Sequence, residues 1–321
     1  IQWSKKIALN SAYGAIGNQY FRYYDVAQAS AITTSGQYVI KWIEKKMNDY
    51  LTKVIGEEHD YIVASDTDSI YVTLDKLVQK ICPNKSKEDV VKVLDKICTE
   101  KFEPYIDKCY AELADYSNAF QQKMEMAREV IADKGIWVAK KRYMLNVHNS
   151  EGVQYAKPKL KIMGIEAIKS STPEICRIRI KEAITIIMEK DEKDLQKFIA
   201  DFKEEFSTLE PEQVAFPRSC NNLRKYADSS NIFQKSCPIH VKGALIYNHY
   251  LKQHKLTMKY PIIQEGDKIK FILMKEPNRF KHGVISYMTT IPKEFNIHDS
   301  IDFDTQFEKT FLDPMRFILE A

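Results

Sequence analysis

A chain of 321 residues with 44% apolar content can bury a proper core, and its length fits about two domains. Lysine plus arginine exceed aspartate plus glutamate by only 48 to 44, so attraction to a polyanion has to come from local clustering and not from overall charge. No apolar run reaches the roughly 18 residues of a membrane span, no charge-then-apolar leader opens the chain, and six scattered cysteines without a C-x-x-C pair argue against a zinc site or a disulfide framework and for a reducing cytosol.

Residues 2 to 13 read as a helix, entered as though midway at a cut. Within "KKIALNSAYG", Lys6, Asn10 and Tyr13 are spaced by four and three, which brings them to one helix face. That face offers a cation for triphosphate oxygens, an amide for hydrogen bonding and a ring to pack on a sugar or base, and Gly14 leaves room for close approach. An ordinary amphipathic helix shows the same spacing. Residues 26 to 52 read as a second helix, because Val39, Ile40, Trp42, Ile43, Met47, Tyr50 and Leu51 recur near helical spacing, and Gly56 marks its end.

From 61 to 74, "YIVASDTDSIYVTL" reads as two strands meeting at a tight turn that carries Asp66 and Asp68. Two acids two apart share a face if the strand stays extended, and their repulsion is relieved by a shared proton or a hard divalent cation such as magnesium. Three readings stay open on these residues: a solvated turn, since Asp, Thr and Ser favour turns; a phosphatase of the haloacid dehalogenase type; and a nucleotidyl transferase with its metals on the hairpin. The phosphatase pattern follows its acids with a loop, whereas "SIYVTL" resumes strand character at once.

Residues 86 to 131 look helical, and "GIWVAKKRYMLNVHNSEGVQYAKPKLKIMG" alternates like a strand, a turn and another strand. Without a regular βαβ rhythm, the expected fold class is α+β. The cluster "AKKRY" between Trp137 and Tyr143 suits nucleic-acid backbone or a solvated strand end, and Lys157, Lys159 and Lys161 alternate beyond it. Near "KSSTPEICRI", Ser171 and Glu174 fit a capping box with Pro173 early in the helix. Beyond it, Leu195, Phe198, Ile199, Phe202 and Phe206 trace a helix face, and short strands are expected around "HVKGALIY" and "KIKFILM".

Lys6, Asn10, Ser11, Tyr13 and Gly14 fill a K-x-x-x-N-S-x-Y-G pattern, and the hairpin "SDTDSIYV" follows some fifty residues later. This combination resembles the fingers helix and palm hairpin of family B DNA polymerases. "YFRYYDVAQASAIT", "WVAKKRYMLNV" and "LKIMGIEAIKSSTPE" are most similar to the T-even phage replicative type. The resemblance implies an end of fingers over 1–25, a palm with an antiparallel sheet and flanking helices over 26–169, and a mainly helical thumb over 170–321. It implies two magnesium ions, with Asp68 as primary ligand, Asp66 less direct and Glu129 a further nearby acid. Lys6 would contact the incoming dNTP, Asn10 would line the same face, and Tyr13 and Gly14 would check the new base pair. Lys140, Lys141, Arg142 and Tyr143 would hold the primer–template duplex, with Lys141 nearest the primer terminus, and His240 and Lys242 would meet its backbone from the thumb.

The family also carries an aspartate in a D-x-x-S-L-Y-P-type motif before the fingers, which this sequence lacks. The expectation is therefore the carboxy-terminal part of a DNA polymerase, inactive until an amino-terminal polymerase half brings that aspartate and the exonuclease. The alternative is a non-catalytic duplex-binding palm–thumb module. A sliding clamp is a further implied partner, although "PMRFILEA" shows no obvious clamp-docking peptide, and the implied location is the cytoplasm of a phage's host.

Overall fold

The computed structural model describes residues 2–228 and 230–321. It is mixed, 51% helical and 18% strand with small antiparallel sheets, which is the expected α+β class. Packing divides the chain into two units. One runs to Ala132 and takes in Val147–Pro158, and the other comprises Asp133–Asn146 and Lys159–Ala321. The division thus falls inside three consecutive strands.

In the first unit, α1 (Gln2–Ile16) leads to the long α2 (Val26–Ile55). Asp25 caps α2 by accepting from the Gln28 N–H at 3.1 Å, and the helix ends on Gly56. Only its carboxy-terminal half has a core to face: Ile43, Met47 and Leu51 are buried with Tyr61, Leu77, Phe102, Ile106 and Tyr110. The hairpin β1 (Ile62–Asp66) and β2 (Ser69–Val72) leans Ile62, Ile70 and Val72 on that cluster. Then come α3 (Asp75–Ile81), α4 (Lys87–Ile97) and α5 (Glu103–Tyr116), the last two joined by a π-helical turn at Cys98–Phe102. Helix does not continue to 131 as expected. It stops at Tyr116, where the Ser117 hydroxyl bonds back to the Leu113 carbonyl at 2.8 Å and Asn118 takes a left-handed φ of 50°.

The "strand, turn, strand" region is a three-stranded sheet, β3 (Val130–Ala139), β4 (Arg142–Ser150) and β5 (Val153–Met163), in that spatial order. In the second unit, α6 (Glu174–Glu189) and α7 (Glu192–Phe206) follow. The capping box expected at Ser171 does not form: the cap position is Pro173, which has no side-chain acceptor. Leu195, Phe202 and Phe206 are buried on α7 as their spacing predicts, with Phe202 4.9 Å from Phe311. Short turns α8 (Pro211–Val214) and α9 (Leu223–Tyr226) flank β6 (Phe216–Ser219), and the small pair β7 (Ala227–Asp228) and β8 (Ile232–Phe233) precedes α10 (Ile239–Gln253).

"HVKGALIY" is therefore helical, not a strand. Val241, Ala244, Tyr247 and Leu251 are buried at helical spacing against the sheet, where a Cβ on Gly243 would overlap the Ser286 hydroxyl. That sheet is β10 (Val284–Tyr287), β9 (Lys268–Leu273) and β6, so "KIKFIL" is a strand as expected. The chain closes with α11 (Phe303–Phe307), a π-helical turn and α12 (Asp313–Leu319). All six cysteines are free thiols, and among the described residues no helix is long and apolar enough to cross a membrane.

Candidate active site

The acid pair sits at the turn end of the hairpin, where the sheet runs out. Asp66 is the last residue of β1, opposite Ser69, and Asp68 lies in the turn itself. The turn is tight because the Asp68 N–H bonds the Asp66 carbonyl across Thr67, which pays with a left-handed φ of 47°. The Thr67 hydroxyl donates to Asp66 Oδ1 at 3.0 Å and the Ser69 hydroxyl to the Asp66 carbonyl at 3.2 Å, so the turn residues fix the first acid. A register shift between Ile62 and Ala64 adds twist below. Asp66 is half-buried at the end of the strand and Asp68 is exposed in the turn, so the chain is not extended through both acids. Burial, then the charges of Asp107 and Asp68, push the Tyr110 phenol above its ordinary range, so the field of Asp68 reaches the core of this unit.

Both carboxylates are hard oxygen donors on a tight turn, and the exposed one has room for ligands from outside. Such a pair fits magnesium, which is held by one or two carboxylates plus substrate phosphates. Among the described residues no three His, Cys, Asp or Glu side chains gather as a metal-holding group. Glu129 is therefore not brought into one set with Asp66 and Asp68. It is exposed, and its carbonyl accepts from the Glu151 N–H at 2.8 Å. Its neighbour Arg128, which the sequence did not single out, ties this segment down through Asp95, Asn149 (2.8 Å) and the Glu103 carboxylate, which accepts from the Arg128 N–H at 2.9 Å.

On α1, helical geometry spreads Lys6, Asn10 and Tyr13 over an arc of about 60°. All three are exposed, and nothing lies within 4 Å of the position a Gly14 Cβ would take.

In the second unit, Lys140 and Lys141 form the exposed two-residue turn between β3 and β4, with Lys141 left-handed at φ 61°. Gly164, at φ 67°, packs so closely beneath that a Cβ there would overlap the Lys141 carbonyl oxygen. The remaining members of the cluster point inward. Arg142 donates to Glu166 at 2.6 Å and lies 4.5 Å over the Phe317 ring, and Tyr143 is buried and stacked on Trp137 at 6.3 Å. On β5, Lys157 and Lys159 are exposed and Lys161 is half-buried.

His240 and Lys242 begin α10. Burial, reinforced by the charge of Arg218, lowers the His240 pKa, so its ring is neutral near pH 7 and can donate a hydrogen bond but no charge. The Lys242 ammonium lies 4.8 Å over the Phe233 ring. Arg218 itself was not visible as a site residue from sequence. It bonds the Ser171 carbonyl at 2.6 Å.

Comparison with known proteins bears out the resemblance that the hairpin and the opening helix suggested: over its whole length the chain is similar to DNA-directed DNA polymerases of T-even phages. The match is to the carboxy-terminal part of these family B polymerases. The chain is 38% identical over its whole length to the DNA-directed DNA polymerase of Enterobacteria phage T4 and 40% identical to that of Escherichia phage RB69. It spans 37% of the length of each. The DNA polymerase 1 of Aeropyrum pernix is 22% identical over 77% of the chain, which covers 21% of that protein. No protein-family model matches the chain.

Proposed function

We propose that this chain supplies the palm hairpin and thumb of a DNA-directed DNA polymerase, which transfers nucleotides from dNTPs to a primer 3′-hydroxyl under template direction. The observation that carries it is the pair Asp66 and Asp68 at the turn of a tight hairpin, the second of them exposed, downstream of a helix that presents Lys6, Asn10 and Tyr13 together. Strand β2 follows the acids directly, which disfavours the phosphatase reading.

Asp68, and behind it Asp66, would hold two magnesium ions. Bound there, the ions lower the pKa of the attacking hydroxyl and neutralise charge developing on the phosphates. Lys6 brings a cation to the triphosphate, Asn10 a hydrogen-bonding amide, and Tyr13 a ring beside the open flank of Gly14. Lys140 and Lys141 offer exposed charge to the duplex backbone, a grip that is salt-dependent and blind to sequence. Palm and thumb name these roles, with the residues near 170 as their nominal border.

Two carboxylates underfill a two-metal centre, so the chain needs a polypeptide carrying the further aspartate, together with the exonuclease part of the polymerase. A sliding clamp belongs to the same assembly. Primer extension tests this: the chain with that polypeptide extends a primer, and the chain alone does not. Extension by the chain alone would contradict the reading. Duplex binding without extension in the mixture, unchanged by Asp68→Ala, would favour a non-catalytic binding module.

A further inference from the structure

Three side chains able to carry positive charge converge in the second unit around one aromatic ring. Lys242 and His249 stand seven residues apart on α10, which is two helical turns, and therefore share a face. The Lys242 ammonium lies 4.8 Å over the Phe233 ring, and the His282 ring meets the same Phe233 in a T-shaped contact at 5.2 Å. His282 is held there by its loop. The Asn278 amide donates to the His282 carbonyl at 2.9 Å and to the Lys275 carbonyl at 2.7 Å, while its oxygen accepts from the Phe280 N–H at 2.9 Å. Lys242 and His282 are half-buried and His249 is exposed, so the group opens to solvent along α10.

The cluster has little acid to balance it. Among the described residues no carboxylate lies within ion-pair distance of Lys242, His249 or His282, and Glu276 is the acid whose charge reaches His282. Burial first, then the charge of Lys242, lowers the His282 pKa; Glu276 opposes them and His249 adds to them. His240, at the start of the same helix, faces Arg218 and Phe271 instead. An anion set among the three side chains counters the field of Lys242, so it favours the imidazolium, and the proton taken up makes the hydrogen bond to the anion charge-assisted. Lys242 and His249 are about 10 Å apart along the helix axis, more than one small anion spans but within reach of neighbouring phosphates on a strand.

We propose that Lys242, His249 and His282 form a phosphodiester-binding cluster whose grip on duplex DNA strengthens as pH falls. That the occupant is DNA rests on the polymerase reading above. Fluorescence anisotropy of the 321-residue chain on a short duplex, at about pH 7.5 and about pH 5.5, measures the gain. A group that takes up a proton on binding contributes up to about tenfold in affinity per pH unit. The wild type is therefore expected to gain about tenfold more than the double variant His249→Gln/His282→Gln. His59→Gln, which changes an exposed histidine of the first unit, should match the wild type. In NMR spectra of the wild type, the titration midpoint of the His282 ring should rise when duplex is bound.

An equal gain in the double variant, or a His282 midpoint that duplex leaves unmoved, overturns the proposal. So does a midpoint that rises with inorganic phosphate but not with duplex, which would mark a site for a small anion. Neither measurement uses primer extension. Absent extension would remove the polymerase reading and leave the cluster standing; a missing pH effect would remove the cluster and leave that reading.

Discussion

Replacing Arg142 by alanine asks whether this cation of "KKRY" serves the fold or the DNA. Its guanidinium donates to Glu166 at 2.6 Å and covers the Phe317 ring at 4.5 Å, and the two charged side chains are only 25% and 23% exposed. Breaking a fully buried pair costs about 3–5 kcal/mol and an exposed one about 0–1 kcal/mol. This pair lies between those limits, and Glu166 keeps Lys169 at 2.8 Å, so its loss costs about 1–2 kcal/mol. The lost cation–π contact adds about 0.5–1 kcal/mol. A total of about 1.5–3 kcal/mol lowers the melting temperature of a unit of this size by about 3–12 °C. Calorimetry measures the loss, and fluorescence anisotropy measures duplex affinity well below the melt. Arg142→Ala is expected to lose stability while the folded chain keeps its affinity. Unchanged stability with lost affinity would refute the reasoning and put the guanidinium on a phosphate.

The same pair predicts a pH dependence. Against the opposing pull of burial, the hydrogen bond from Lys169 and the charge of Arg142 hold the Glu166 carboxyl below its ordinary value of 4.5. A depressed carboxylate contributes stability that is fully present above the ordinary value and lost as pH falls through the folded one. The stability gap between wild type and Arg142→Ala should therefore shrink below about pH 4.5 in acid denaturation series, and a gap constant into strong acid would contradict the pairing. Gly164→Ala sets a Cβ against the Lys141 carbonyl at a left-handed φ of 67° and should cost about 2–4 kcal/mol in urea unfolding.

Local signals in the sequence carried through where neighbours along the chain decide the structure. The apolar spacing of Ile43, Met47 and Leu51 gives α2, and strand-formers around two acids give a hairpin with both acids at its turn. Signals failed where distant partners decide. "HVKGALIY" has strand-like apolar content, but it is a helix because Gly243 lets it settle on Ser286 of β10. The Ser171–Glu174 spacing fits a capping box, yet Pro173 takes the cap position. Arg128 and Arg142 look like surface cations in a linear reading, because their carboxylate and amide partners lie 21 to 33 residues away. The hairpin and the helix that carry the candidate residues were legible in residue types and spacing; the internal bracing around them was not.

The two units also divide the proposed work. Lys6, Asn10, Tyr13, Gly14, Asp66, Asp68 and Glu129 all belong to the first, and Lys140, Lys141, Arg142, Tyr143, His240 and Lys242 to the second. If metal and triphosphate are handled by one and the duplex by the other, substitutions should fall into separable classes. In the complex with the partner polypeptide, Asp68→Ala should abolish extension and leave both duplex affinity and its salt slope alone. Lys141→Ala should weaken duplex binding alike on all sequences and reduce the salt slope by about 1, with the magnesium concentration for half-maximal extension unchanged. Titrations of salt and magnesium on the two variants give all four quantities. A Lys141→Ala enzyme that needs more magnesium, or an Asp68→Ala chain that loses its grip on duplex, would show that the division by packing is not a division of function.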